Sequence, residues 1–391
     1  MLTRGIATFT LDYGTCPRWL FERMVKLGRE MIYIMVSEYG ADEVVKRIAN
    51  PVWFQSLGTV LAFDWNASGL TTILTAALKE AIRGSERDLG LFICGGKGKT
   101  SRKTPDEIVG WGDHAQIPTP SINSLVYNSK MAAKVDSSLV QDGYQIYHHA
   151  FFFSRTGAWA VVQQGMNTDS QTARRYHWHS ENVHDIVCEP HSGISTQELS
   201  PTVDLTARKS GKNREISSGL IQSQSYAELL SDMRILRKHS SKLSRMIHIG
   251  NDQEQLTLLD LFDIPFTTHP VVGEKKYTYL EKILYTLTET KPQNYEAILA
   301  HKGVGPATMR ALSLVAEVIY GAPPSYEDPA RYSFAHGGKD AIPYPVDTKT
   351  YDTSIAFFKK VVAKLKLSPF EKQRIVHKLE KKGSILPFQS P

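Results

Sequence analysis

The stretch NYEAILAHKGVGPATMRALSLVAEVIYG, residues 294–321, decides how the carboxyl half of this chain folds. Asn294 is a favoured cap for a short helix, and Gly303 is a favoured signal for that helix to stop. Pro306 suits the first turn of a second helix, and apolar residues then recur at helical spacing until Gly321. The sequence therefore predicts two helices joined by a hairpin that contains glycine.

The hairpin suggests a binding chemistry of its own. Glycines let a backbone approach another molecule closely, and unpaired amides at the start of a helix favour an anion. A DNA phosphate fits this description, so we expect contacts to the DNA backbone from the glycines Gly303 and Gly305 and from Thr308 at the start of the second helix. Such contacts position a nucleic acid without reading its sequence. The alternative is an ordinary helical hairpin with a tight turn.

Downstream of the hairpin stands Pro345-Val346-Asp347-Thr348. The two pieces in this order resemble the helix-hairpin-helix superfamily of DNA glycosylases, in which an essential aspartate follows the hairpin in a Val-Asp-Thr segment. The resemblance implies that Gly303, Val304 and Gly305 hold a DNA phosphate, that Asp347 is the catalytic carboxylate and that the target base is flipped out of the duplex. A fixed carboxylate stabilises the positive charge that builds on the sugar, or orients the attacking water. No cofactor is required for that reaction. The alternative role for Asp347 is a helix cap.

The chain also departs from the pattern of that superfamily. Ala307 stands where the members that cut the DNA backbone carry a lysine, so a lyase is not implied at this position. Lys339 or Lys349 would have to supply the amine, and a solvated lysine is the alternative for both. No cysteine follows Cys188, so the iron–sulfur loop of some members has no ligands here.

The whole chain resembles an uncharacterised family that is common in archaea and thermophilic bacteria. The motifs that carry this likeness are Phe63-Asp64-Trp65, Gly95-Gly96-Lys97-Gly98-Lys99, Gln163-Gln164-Gly165-Met166-Asn167 and Arg174-Arg175-Tyr176-His177-Trp178. That resemblance brings no activity with it.

Composition indicates a soluble globular protein, with 41% hydrophobic and 22% charged residues. The length of 391 residues favours two domains over one. A net charge of +6 suits a nucleic-acid partner without establishing one. Three scattered cysteines are too few for a disulfide framework, and the opening residues lack the apolar core of a signal peptide. No apolar run is long enough to cross a membrane, so we expect a cytoplasmic protein without a membrane role.

The pattern changes near residue 215. Before it, strands are expected at 5–11, 91–94, 150–154 and 158–163, and helices at 19–39 and 70–83. After it, helices are expected at 226–247, 256–262, 277–288 and 369–382. The sequence therefore predicts an α+β protein, with an α/β domain at 1–215 and an all-α domain at 216–391 that carries the helix-hairpin-helix motif. Residues 189–218, rich in Ser, Thr, Gly and basic residues, are the expected linker and a candidate mobile segment.

A basic loop follows the strand expected at 91–94. Ile93 occupies a position where a phosphate-binding P-loop needs glycine, which excludes ATP binding by that motif. We expect Lys97 and Lys99 to bind the phosphates of a nucleic-acid backbone instead, and a solvated basic turn is the alternative.

The amino half also holds four histidines in one short stretch, namely His177, His179, His184 and His191. Imidazoles bind Zn²⁺ or Mn²⁺, and Asp64, Asp169 or Asp185 is a candidate acid for the same site, which would activate water for phosphodiester cleavage. Their spacing matches no defined zinc motif. Arg174 and Arg175 are expected on DNA phosphates, beside aromatic residues that stack on bases, and a half-buried strand edge is the alternative. Helix capping is the alternative for Asp64.

These features leave three functions open. The leading one is DNA repair by a base-excision glycosylase that uses Asp347. The second is a metal-dependent DNA nuclease with its active site in the amino half, around Asp64 and the histidines. The third is a DNA-binding or scaffold protein without catalysis. The sequence identifies no protein partner.

Overall fold

The computed structural model describes residues 3–4, 16–62, 67–197, 199–239, 274–330, 332–333, 348–365, 368–370, 372–373 and 376–377. Its strands are β1 Thr3–Arg4, β2 Leu91–Lys97, β3 Val140–Gln141, β4 Gln145–Ser154, β5 Trp159–Asn167, β6 Thr172–His179, β7 His191–Thr196, β8 Val203–Asp204 and β9 Tyr332–Ser333. Seven of them form one sheet in the order β1-β9-β7-β6-β5-β4-β2, and β3 pairs with β8.

The centre of the sheet is an antiparallel meander of β4, β5, β6 and β7, and β2 pairs antiparallel with β4 at the edge. β9 pairs parallel with β1 and with β7. The strands expected at 91–94, 150–154 and 158–163 are confirmed within β2, β4 and β5. The strand expected at 5–11 lies outside the described residues. The mixed α+β class is confirmed, whereas the meander differs from the parallel sheet typical of α/β domains.

The helices are α1 Arg18–Ile48, α2 Pro51–Ala62, α3 Ala67–Ala81, α4 Glu86–Leu89, α5 Thr104–His114, α6 Thr119–Ser138, α7 Gly211–Ser223, α8 Tyr226–His239, α9 Glu274–Thr290, α10 Tyr295–Ala300, α11 Pro306–Val318 and α12 Thr348–Lys364. Among the described ranges, none combines the length and the apolar character needed to cross a bilayer. Segments 240–247 and 256–262, where helix was expected, lie outside the described residues, as do most of 369–382.

Helices cover both faces of the sheet. Successive residues of a strand point to opposite faces, so Phe151 and Phe153 of β4 enter one core while Ala150 and Phe152 enter the other. The α1 face is the side covered by α1, α2, α3 and α12, and the α6 face is the side covered by α5 to α11. Because both faces are buried, even the polar residues of the central strands lie inside the protein.

The expected domain boundary at residue 215 falls inside α7. One hydrophobic cluster joins Phe92 and Trp178 of the sheet to Leu284 of α9 and Leu312 of α11. Segment 189–218 is therefore not a linker. It contains β7, whose Ser195 and Thr196 are fully buried. The linker prediction was wrong because Ser and Thr side chains are as compatible with a strand as with a loop. In addition, α12 packs on the opposite side of the sheet from α7 to α11.

Candidate functional site

Two short-range signals in the sequence give the helices α10 and α11 their bounds. The Asn294 side chain accepts a hydrogen bond from the Ala297 N–H at 2.8 Å, which caps α10 as predicted. Pro306 is the first residue of α11, and Gly305 precedes it as the cap residue. Residues 301–305 form the turn between the two helices. The predicted pair of helices joined by a glycine-containing turn is confirmed.

The backbone conformation of Gly303 and the side chains packed against it both favour a glycine. Its φ of +92° lies in the left-handed region that favours glycine. A Cβ at this position would stand 2.4 Å from Ile283 Cδ1 and 2.8 Å from the Tyr279 hydroxyl oxygen, both on α9. The first glycine of the turn therefore allows α9 to lie directly against the hairpin.

Gly305 is different from Gly303. Its φ of −152° is extended backbone that any residue adopts. A Cβ built on it would meet nothing within 4 Å. Neither the conformation of the backbone nor the packing inside the described part of the protein accounts for a glycine here, and the space beside it is open.

The start of α11 offers amide groups to this open space. The N–H groups of Thr308 and Met309 both donate to the Gly305 carbonyl at 3.1 Å. Within the described residues, no hydrogen bond is made by the N–H groups of Gly305 and Ala307. Together with the positive end of the α11 dipole, these two groups form a surface that favours an anion.

The side chains of the hairpin divide between the interior and the surface. Val304 and Thr308 are each only 4% exposed, so their side chains do not reach a bound molecule. The expected contact of Thr308 with DNA is corrected accordingly, because its side chain packs inward and its N–H is already bonded to Gly305. Lys302 is exposed and supplies a positive charge at the turn.

The hairpin is held by α6. The Lys134 ammonium donates to the Leu299 carbonyl at 2.6 Å and to the His301 carbonyl at 2.8 Å, at the point where α10 ends. Burial lowers the pKa of Lys134. The Gln141 side-chain amide also donates to the Pro306 carbonyl at 3.3 Å. These contacts are not predictable from the sequence, because a lysine in a helix and a glutamine after it are most often exposed surface residues.

The three predicted catalytic residues Asp347, Lys339 and Asp64 lie outside the described residues. Helix α12 begins at Thr348, directly after Asp347 in the sequence. Both predictions for Asp347, as a catalytic carboxylate and as a helix cap, therefore stay predictions.

Lys97 and Lys99 are exposed at the edge of the sheet. Lys97 ends β2, and its ammonium nitrogen lies 5.9 Å from the centre of the Tyr147 ring. Lys99 lies in the short 3₁₀ helix at 98–103. Gly95, before them, has a φ of +83°, and a Cβ there would stand 2.2 Å from the His149 carbonyl oxygen. Internal packing thus accounts for this glycine of the basic motif.

Arg174 and Arg175 are both completely buried, which corrects the expectation that they contact DNA phosphates. Arg174 points to the α6 face, where it pairs with Asp142 at 3.0 Å and Asp328 at 2.7 Å. Arg175 points to the α1 face and donates to the Gln55 side chain at 3.1 Å. Helices cover both faces of β6, so neither guanidinium is accessible to a nucleic acid.

The four histidines are not brought together. His177 points to the α1 face, where its Nδ1 lies 3.1 Å from the Ile48 carbonyl, and His179 lies on the same side of β6. His191 points to the α6 face, and its Nε2 donates to Asp136 at 2.6 Å, while His184 is exposed in a loop. In the described part of the chain, no group of three or more His, Cys, Asp or Glu residues is arranged to hold a metal. The proposed zinc or manganese site on these histidines is corrected accordingly.

Asp136 of α6 is the centre of a buried polar network that sequence reasoning missed. Besides His191, its carboxylate accepts hydrogen bonds from the Gln163 side-chain amide at 2.5 Å and the Trp178 indole N–H at 3.1 Å. Burial raises the pKa of Asp136, and the nearby His191 opposes that shift. The network ties α6 to β5, β6 and β7, and so fixes the helix that holds the hairpin.

Comparison with known proteins gives a family without an activity. A family model described as a protein of unknown function, DUF763, matches residues 5–346. No curated protein and no solved structure matches the chain.

Proposed function

The chain belongs to the DUF763 family, which implies no activity, and we propose from the geometry of the hairpin that it is a DNA-repair enzyme. In this proposal the enzyme binds the DNA backbone through residues 301–308. In this proposal α10, the turn and α11 act as a helix-hairpin-helix motif. Asp347 then serves as the catalytic carboxylate that removes a damaged base.

The observation that carries the proposal is the glycine at position 305. Nothing within the described protein requires it, since its φ is extended and the space around its Cβ position is empty. A ligand that binds from outside the protein would explain why position 305 is a glycine. A phosphate oxygen that bonds to the N–H groups of Gly305 and Ala307 would need the volume that a side chain would fill.

The charge of the surroundings suits the same partner. Lys302 is exposed beside the two amides, and the net charge of the chain is +6. A phosphate held in this way positions a duplex without reading its sequence, so the identity of the base must be recognised by other residues.

Catalysis rests on the Val-Asp-Thr segment after the hairpin. Hydrolysis of a glycosidic bond builds positive charge on the sugar, and a carboxylate at Asp347 would stabilise that charge or orient the attacking water. The competing nuclease in the amino half gains no support from the histidines, because His177 and His191 point to opposite faces of the sheet.

Binding is tested by Gly305→Ala, with Gly110→Ala as the matched control. Gly110 is an exposed glycine of α5, and a Cβ there would also meet nothing within 4 Å. We expect Gly305→Ala to fold normally and to bind a labelled duplex about tenfold more weakly, because charge-assisted hydrogen bonds are lost. Fluorescence anisotropy measures the affinity. Equal DNA affinity of the two variants would remove the hairpin from the interface.

Catalysis is tested on end-labelled duplexes that contain uracil, hypoxanthine or 8-oxoguanine. The reactions are run with and without EDTA and are then treated with hot alkali. We expect alkali-dependent nicks that survive EDTA and disappear in Asp347→Asn. Cleavage that EDTA abolishes and Asp347→Asn retains would instead indicate a metal-dependent nuclease. Binding without any cleavage would indicate a scaffold protein.

A further inference from the structure

A row of polar side chains crosses the α1 face of the sheet at one end of its strands. Its members are directly opposed in the register of the neighbouring strands β2, β4, β5 and β6, namely Lys97, His148, Gln164 and Arg175. Directly opposed residues have Cβ atoms about 5 Å apart, so these side chains are immediate neighbours. Three of the four belong to motifs that are far apart in the sequence, at 95–99, 163–167 and 174–178. The fold therefore brings three separate motifs together in this polar row.

One face of helix α3 lies against the polar row. Three residues of α3 contact it, at a spacing of three and four residues that places them on one side of the helix, namely Ser68, Thr71 and Thr75. The Ser68 carbonyl and the hydroxyls of the other two lie 2.8, 3.3 and 3.1 Å from Gln164, Arg175 and His148, respectively. Because these contacts span only about two turns of helix, the side chains of the polar row converge.

His148 presents an unprotonated nitrogen to this cluster. Burial lowers the pKa of His148 to about 3, so its ring is neutral at neutral pH. The Thr75 hydroxyl donates to the Thr71 carbonyl at 2.9 Å, and it therefore accepts the hydrogen of His148 Nε2. The other ring nitrogen, Nδ1, carries a lone pair. It is buried and receives no hydrogen bond from the described residues.

Gln164, directly opposite His148, presents a second acceptor. Its side-chain amide uses both hydrogens, since it donates to the Ser68 carbonyl at 2.8 Å and to the Tyr147 hydroxyl oxygen at 2.5 Å. Its Oε1 is buried and has no donor in the part of the chain that the structure describes. Tyr147 lies at a bulge of β4, which turns its ring toward Gln164. Because its oxygen accepts from Gln164, the Tyr147 hydroxyl has its own hydrogen left to donate.

These groups lie at the end of the polar row that reaches the surface. Lys97 is exposed on the edge strand β2, and Tyr147 beside it is half-buried. The Lys97 ammonium nitrogen lies 5.9 Å from the centre of the Tyr147 ring. Buried polar atoms in proteins are nearly always hydrogen-bonded. A ligand with two N–H donors and one acceptor would satisfy the two open acceptors and the Tyr147 donor together.

We propose that this end of the polar row binds a nucleobase with the hydrogen-bonding edge of guanine, in which two N–H donors stand beside a carbonyl oxygen. The donors bond to His148 Nδ1 and Gln164 Oε1, and the carbonyl accepts from the Tyr147 hydroxyl. This inference rests on the proposed function, in which a base leaves the duplex and must be identified by residues outside the hairpin. Adenine presents a ring acceptor where guanine presents a donor, so adenine leaves one of the buried acceptors without a partner.

The chain offers a matched control in the next residue. His149 is also buried, and burial lowers its pKa to about 4. Its Nε2 lies 2.9 Å from the Ser129 hydroxyl, and its Nδ1 has no partner among the described residues, as in His148. However, His149 points to the α6 face because successive residues of a strand alternate. His148→Leu and His149→Leu therefore remove equivalent groups from opposite sides of the sheet.

The experiment titrates the full chain with deoxyguanosine and with deoxyadenosine by isothermal titration calorimetry. We expect deoxyguanosine to bind at least about tenfold more tightly than deoxyadenosine. His148→Leu should weaken deoxyguanosine binding about tenfold, and His149→Leu should leave it unchanged. Tyr147→Phe, which removes only a hydroxyl, should weaken it about fivefold. Equal melting temperatures of the two leucine variants would confirm that both fold. In nitrogen-15 NMR spectra, the signal of His148 Nδ1 should shift when deoxyguanosine is added.

Three results would overturn the inference. If neither nucleoside binds while a duplex does, the proposed function stands and the base site does not. If both nucleosides bind equally well, the hydrogen-bonding edge is not recognised. If His149→Leu weakens binding as much as His148→Leu, the ligand does not lie on the α1 face. Deoxyguanosine binding in a protein that binds no duplex would instead support the site, with a free nucleoside as its ligand, while the proposed function fails.

Discussion

Adding a methyl group, as in a substitution to alanine, should have different effects at the two glycines of the hairpin. We expect Gly303→Ala to lower the free energy of unfolding by about 1–3 kcal/mol, because alanine is strained at a φ of +92° and its Cβ would overlap Ile283. Gly305→Ala should change stability by less than about 0.5 kcal/mol, because its Cβ meets open space. Urea denaturation of both variants measures the difference. Equal losses would contradict the distinct roles assigned to the two positions.

Buried histidines make stability depend on pH. Burial lowers the pKa of His148 to about 3 and that of His149 to about 4, whereas histidine in an unfolded chain titrates near 6.5. Between pH 6.5 and 4 the unfolded chain therefore binds more protons than the folded one. As the pH falls through this range, each of these histidines should lower the free energy of unfolding by about 1.4 kcal/mol per pH unit.

The buried carboxyls of Asp136 and Asp142 have raised pKa values and act in the opposite direction, so the contribution of one histidine is best measured as a difference. His149→Gln removes one titrating group, and its unfolding free energy should fall less steeply between pH 6.5 and 4.5 than that of the unchanged protein. Denaturation curves at a series of pH values give both slopes. Identical slopes would mean that His149 accepts a proton in the folded state.

Among the elements, α6 determines where the hairpin lies. We expect Lys134→Met to cost about 1–3 kcal/mol of stability, because the Leu299 and His301 carbonyls lose a charged donor. Affinity for DNA should fall as the turn loosens, and the salt dependence of binding should stay the same. Lys130→Met is the control, since Lys130 is an exposed lysine of the same helix. Amide hydrogen exchange at the turn should accelerate only in Lys134→Met.

Local signals were enough to predict some elements and not others. The α10 and α11 helices were predictable because a cap, a glycine turn and a proline all lie within the segment itself. β7 was not predicted, and β6 was only an alternative at its place, because Arg174, Arg175 and His177 look like exposed residues until helices cover both faces of the sheet. Similarly, the glycines were enough to predict where the hairpin lies in the sequence. The contacts of Tyr279 and Lys134 with the hairpin were not predictable, because these residues belong to helices that are distant from it in the sequence.

At the scale of the whole molecule, buried charge joins the two halves of the chain. Arg174 of β6 is paired with Asp142 before it and with Asp328 after α11. A buried guanidinium that loses a partner is strongly destabilising, because the charge is left without compensation away from water. The carboxyl half therefore supplies Asp328, one of the two carboxylates that neutralise the buried Arg174 in the sheet.

For this reason, a fragment of residues 1–215 should not fold as an independent domain. It lacks α8 to α11 and most of α7, which cover much of the α6 face, and α12, which covers part of the α1 face. It also lacks Asp328, which pairs with Arg174. Trp178 and Phe151 sit in the cluster that these helices complete. We expect the fragment to keep some secondary structure, to bind a hydrophobic dye and to lose the near-ultraviolet circular dichroism of the full chain. A cooperative unfolding transition of the fragment, with no dye binding, would instead mean that the sheet and helices α1 to α6 form a complete core of their own.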